Sequence, residues 1–79
     1  MSDQPTLQEI REALMKREYP FIYAWLIGPG NTYRFFSLGL SGYVVKNHNG
    51  IYKVSENEFF ELFDDVAKFA TSWRIDRCF

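Results

Sequence analysis

Apolar positions near the start of the chain recur with helical spacing. Leu7, Ile10 and Leu14 stand at i, i+3 and i+7 with Ala13 alongside, while Glu9, Glu12 and Lys16 point to other sides, so one narrow stripe faces a core. Thr6 followed three residues later by Glu9 forms a capping-box pattern, in which each side chain satisfies an orphan backbone N–H of the other residue. A helix is predicted to begin there. Tyr19 precedes Pro20, whose ring disfavours helical backbone in its predecessor, so the helix should end near Arg17 or Glu18.

The pattern then changes to runs that suit strands. Phe21 to Ile27 is short, aromatic and β-branched, which favours a strand over a helix. Gly28-Pro29-Gly30-Asn31 supplies turn chemistry, with Pro29 setting one corner and Gly30 permitting positive φ at the next. Thr32 to Leu38 returns as a second strand, and Gly39 to Gly42 punctuates the chain again. Tyr43 to Asn47 and Ile51 to Val54 follow as a second hairpin, for which Asn49-Gly50 is the expected type I′ turn.

The last element repeats the capping logic with Ser55 and Glu58, and Val54 with Phe59 stand where a hydrophobic staple would form. On a wheel of about 100° per residue, Phe59, Leu62, Phe63, Val66, Phe69, Ala70 and Trp73 share one side. Glu61, Asp64, Asp65, Lys68 and Ser72 share the other. This predicts an α+β fold: helix, four-stranded antiparallel β-meander, helix, with both helices packed on one sheet face. Neither a repeat nor a linker divides residues 1–79, so a single domain is expected.

Strand periodicity assigns the two sheet faces. With Gly28 opposite Asn31, the residues Ile22, Ala24, Leu26, Tyr33, Phe35 and Ser37 share one face. Tyr23, Trp25, Ile27, Thr32, Arg34 and Phe36 share the other. Arg34 would be costly beneath helices, so the second set is assigned to the uncovered side. In the second hairpin Tyr43, Val45, Tyr52 and Val54 go inward, and Val44, Lys46, His48, Ile51 and Lys53 outward. The uncovered face would then carry Tyr23, Trp25, Arg34, Phe36, Lys46, His48 and Lys53. A one-residue register slip would exchange every inward residue for an outward one.

Composition sharpens this picture in one respect. Aromatic residues make up 19% of the 79 residues, enough large side chains to stabilise a small core without disulfides or metal. Charge is unevenly distributed although the net value is only −1. Residues 21–53 carry Arg34, Lys46 and Lys53 and no acid, whereas residues 54–70 carry five carboxylates against Lys68. Two electrically different surfaces are expected.

Candidate chemistry is thin. His48, the single histidine, has no Cys, Asp or Glu at ligand spacing nearby, and is expected to be a solvated turn residue rather than a base or metal ligand. Cys78 is the single cysteine; it cannot form an intramolecular disulfide and lacks a base partner, which fits an incidental thiol in a reducing compartment. The glycines lack the Gly-Lys-Ser/Thr ending of a P-loop. No catalytic, cofactor or metal constellation is expected, and the protein is predicted not to be an enzyme. The start has no basic segment leading into an apolar one, and Phe21 to Ile27 is far short of the ~20 residues that span a bilayer, so a cytoplasmic location without membrane contact is expected.

Three roles remain for the uncovered face. It could be the contact surface of a protein-binding module such as a stoichiometric inhibitor or adaptor, with Trp25 and Arg34 as anchors. It could bind single-stranded nucleic acid, its rings stacking on bases and its cations meeting phosphates. It could pair with a second copy, giving a homodimer or larger structural assembly. A secondary acidic patch of Glu61, Asp64 and Asp65 could meet a basic protein surface and speed association. In compact size, aromatic density and lack of catalytic equipment the chain resembles small inhibitors encoded by phages and mobile elements, including anti-CRISPR proteins. The likeness is one of style, carried by no motif, and it transfers no functional residue; it implies protein binding and inhibition.

Overall fold

The computed structural model describes residues 5–17 and 21–78. Helix α1 runs Leu7–Lys16 with Thr6 as N-cap. The Glu9 N–H donates to Thr6 Oγ1 at 3.1 Å and the Thr6 N–H donates to Glu9 Oε1 at 2.9 Å, completing the expected capping box. Arg17 ends the helix in the left-handed conformation, at φ 55°. The Tyr19-Pro20 step lies outside the described residues.

Strands β1 (Phe21–Gly28) and β2 (Asn31–Ser37) pair antiparallel with Gly28 opposite Asn31. Pro29-Gly30 forms the corner, and Gly30 takes φ 77°. A single 3-10 turn at Gly39–Ser41 leads into β3 (Tyr43–Asn47), which pairs with β4 (Gly50–Val54). Here the expected turn shifts. Asn47 pairs with Gly50, so His48 and Asn49 are the central residues, and neither has positive φ. Asn47 Oδ1 accepts the Asn49 N–H at 2.8 Å, an Asx turn that places the corner one residue early. The shift moves the pairing by two residues, an even number, so the inward and outward sets survive.

Helix α2 spans Glu56–Ala67 with Ser55 as N-cap, whose Oγ accepts the Glu58 N–H at 3.2 Å. It stops short of the expected end. The N–H groups of Lys68, Phe69 and Ala70 close the last turn on Asp65 and Val66 carbonyls, and the Thr71 N–H then donates to the Ile27 carbonyl of β1 at 2.7 Å. From that point the chain forms a fifth strand beyond the expected four, β5 (Ser72–Cys78), antiparallel to β1. Trp73 therefore sits on a strand, opposite Leu26, and not on the α2 stripe.

The physical reason lies in β1. In a four-stranded meander it would be an edge with unpaired N–H and C=O groups, and its run of apolar residues on both faces would make a poor edge. β5 covers it, giving the order β4-β3-β2-β1-β5. Trp73 and Ile75 alternate inward with Arg74 and Asp76 outward. That alternation is the strand period, masked in sequence because Trp73 also continues the helical stripe.

Both helices cover one face of this five-stranded antiparallel sheet. Ile22, Ala24, Leu26, Phe35, Tyr43 and Val45 form the floor, and Ile10, Leu14, Phe59, Phe60, Phe63 and Val66 the roof. Phe35 packs edge-on against Phe59 and Phe63, with centroids 5.5 and 5.2 Å apart, the geometry that opposes ring edges to ring faces. Ala24 is fully buried, its small side chain admitting close approach of the helices. Tyr52, expected inward, is 45% exposed, because the helices centre on β1 to β3 and β4 projects beyond their cover. Phe69, expected on the buried stripe, follows the end of α2 and is likewise half-exposed. No helix among the described residues is long and apolar enough to cross a membrane.

Candidate functional site

Register turns the uncovered face into two rows running across all five strands. The first row is Arg74–Trp25–Arg34–Lys46–Ile51, from β5 to β4. The second is Asp76–Tyr23–Phe36–Val44–Lys53. Neighbours within a row are separated by about 4.8 Å, the strand spacing, and the rows by two residues, about 6.8 Å.

The first row is cationic around one indole. The Arg34 guanidinium carbon stands 4.3 Å from the Trp25 ring centroid and that of Arg74 stands 5.1 Å from it, within the range at which a cation is attracted to the ring quadrupole. Arg74 also reaches Asp76 at 3.9 Å, so the one carboxylate of the two rows is engaged at the β5 end. The Trp25 Nε1 atom is inaccessible to solvent and has no acceptor among the described residues. An indole N–H in that state costs roughly 1–3 kcal/mol.

The second row is aromatic at its centre. Tyr23 and Phe36 stack with centroids 5.3 Å apart and planes at 28°. Phe21, one step further along β1, packs on Tyr23 at 5.6 Å and Phe36 at 5.9 Å, and Tyr23 touches Trp25 at 6.1 Å. These rings hold one another in place, so little side-chain entropy remains to be lost when something docks on them.

Of the seven residues expected on this face, the structure brings together Tyr23, Trp25, Arg34, Phe36, Lys46 and Lys53. His48 is not among them: it is exposed at the β3–β4 corner, beyond the end of the ladder. Two participants were missed. Phe21 was available from alternation, two residues before Tyr23. Arg74 required β5, which the helical stripe had concealed.

The acidic residues of α2 lie on the other layer, and three of them are already paired: Glu56 accepts a hydrogen bond from Arg17 Nη2 at 3.3 Å. Asp64 accepts two hydrogen bonds from Arg11, at 2.8 Å from Nε and 3.1 Å from Nη2. These bonds push the Arg11 guanidinium above its ordinary pKa, against a smaller lowering by burial. Asp65 meets Lys68 at 3.6 Å. Glu61 is exposed and, with Arg11, Met15, Glu56, Asn57, Phe60 and Asp64, lines a shallow hollow of about 280 Å³ between the helices. No group of three or more His, Cys, Asp or Glu that could hold a metal ion occurs among the described residues. The side chain of Cys78 lies outside the described residues.

Compared with protein-family models, with curated proteins and with solved structures, the chain matches none.

Proposed function

We propose that this protein is a non-enzymatic protein-binding module, an inhibitor or adaptor acting in stoichiometric complex, and that its contact surface is the uncovered sheet face. The observation that carries the reading is Trp25 held between Arg34 and Arg74. Trp, Tyr and Arg are the side chains that dominate interface energetics, because each joins a large contact area to a polar handle. Here they are pre-positioned by a rigid ladder rather than by a loop, which lowers the ordering cost of association.

A second reading, binding of single-stranded nucleic acid, draws on the fourth cation that β5 adds to the face. It is the weaker of the two. Base stacking needs open ring faces, whereas those of Trp25 carry guanidinium groups and the other rings pack on one another. Four cations also release few counterions, at a salt slope of about −0.7 per phosphate neutralised on a single strand.

Affinity capture from the cell that makes the protein, with and without nuclease digestion, separates the two. Protein binding predicts partners that survive digestion and are lost with Trp25→Ala. Partners lost on digestion, or retained by Trp25→Ala, would overturn it.

A further inference from the structure

We infer that the partner element seated on this face is an acidic amphipathic helix lying across the strands; the inference rests on the protein-binding reading and specifies its chemistry. The face is segregated. One row presents Arg74, Arg34 and Lys46, and the row beside it presents Tyr23, Phe36 and Val44 at its centre. A complementary element needs carboxylates along one side and apolar groups along the adjacent side, which is the pattern of an amphipathic helix.

Spacing selects a helix over an extended segment. Arg34 and Lys46 are one strand apart, about 4.8 Å, and Arg74 and Arg34 two strands apart, about 9.6 Å. Counted from Lys46, the three cations stand at about 0, 4.8 and 14.4 Å across the strands, and helical residues at i, i+3 and i+10, which share one side, stand at about 0, 4.5 and 15 Å along their axis, so carboxylates at such positions come into phase with all three. An extended segment repeats on one side every ~6.8 Å and misses the middle cation, Arg34, by about 2 Å. A second folded copy does not supply the element: the acidic helix of this chain, α2, has Phe59, Phe63 and Val66 buried in its own core.

The test uses defined probes and the whole protein. A synthetic peptide of about 18 residues, with a leucine stripe flanked by glutamates at helical spacing, is titrated into the isotopically labelled protein by NMR. A scrambled isomer of the same composition and a short oligothymidylate are titrated alongside. The amphipathic peptide is expected to shift resonances of the two rows, to bind at least about tenfold more tightly than its isomer, and to weaken steeply towards about 0.5 M salt. Arg34→Glu and Lys46→Glu should each weaken it by about tenfold or more, while Glu12→Gln on α1, in the opposite layer, should not. The salt series on the unaltered protein serves as the charge test should either reversal disturb folding. Equal binding of the two peptides, no binding of either, or binding of the oligothymidylate alone overturns the inference. If neither peptide binds and nuclease-resistant partners are still lost with Trp25→Ala, the helical partner falls and the protein-binding reading stands. Oligothymidylate binding without peptide binding, together with partners lost on nuclease digestion, ends both.

Discussion

Arg34 lies directly across the β1–β2 ladder from Trp25, with its guanidinium carbon 4.3 Å from the indole centroid. Because both residues stand on the face the helices leave open, the pair contributes little to the core. Trp25→Ala is expected to leave a cooperatively folded protein while costing at least ~2 kcal/mol of partner affinity. A double-mutant cycle of Trp25→Ala and Arg34→Ala on unfolding should return a coupling of about 0.5–1 kcal/mol. Loss of the folded state in Trp25→Ala would place the indole in the core and remove the proposed surface.

Ser37 is fully buried on β2, and its hydroxyl finds no hydrogen-bond partner among the described residues. Removing an unsatisfied buried hydroxyl relieves its desolvation cost, so Ser37→Ala should stabilise the fold by about 1 kcal/mol. Thermal denaturation checks it, since about 1 kcal/mol corresponds to a rise of roughly 4–8 °C for a domain of this size. A fall in midpoint would mean that the hydroxyl has an acceptor in solution.

Gly28, the last residue of β1, lies beneath the ring of Phe69. A β-carbon added there would stand 2.8 Å from Phe69 Cδ2 and 3.4 Å from the Phe69 carbonyl oxygen. The ring is half-exposed and can swing away, but only by giving up its contact with the strand. Gly28→Ala should cost about 1–2 kcal/mol in the native background and clearly less in Phe69→Ala, as chemical denaturation of the four proteins would show. Equal costs in both backgrounds would mean that the ring does not rest on Gly28.

Trp73 anchors β5 twice over. Its side chain packs against the core, and its Nε1 donates to the Pro5 carbonyl at 2.7 Å, tying the end of the fold to the approach of α1. Trp73→Phe retains most of the packing and should cost about 1 kcal/mol, whereas Trp73→Ala should cost about 3 kcal/mol or more. NMR chemical shifts of residues 72–78 typical of strand, and contacts between Trp73 and Leu26, would accompany this. Helical shifts there would restore the longer α2.

Thr6 Oγ1 and Ser55 Oγ each accept the backbone N–H three residues on at the start of a helix. Each Ala substitution should cost about 1 kcal/mol and leave peptide or partner binding at the sheet face unchanged, because both caps belong to the other layer. A change in affinity from either would tie the helical layer to the contact surface.

Local rules were sufficient for much of the architecture. Thr6 and Ser55, each followed three residues later by Glu, marked where the two helices begin, because orphan backbone N–H groups must be satisfied by neighbours in the chain. Alternation and the cost of burying Arg34 separated the inward set from Tyr23, Trp25, Phe36 and Lys46, because side chains on a strand change faces at every residue. The turn at His48-Asn49 differed from the expected Asn49-Gly50 without exchanging faces, since the pairing moved by an even number of residues.

What the chain alone could not decide was settled by long-range pairing. Trp73 satisfies both a helical stripe and a strand, and only the exposed edge of β1 selects the second, by offering backbone partners that no local pattern encodes. The same pairing brings Arg74 beside Trp25 from 49 positions away in the chain. Sequence thus determined which residues would face outward, through period and charge. Tertiary structure decided which of them became neighbours, because a cross-strand row is assembled by hydrogen bonding between strands and not by order along the chain.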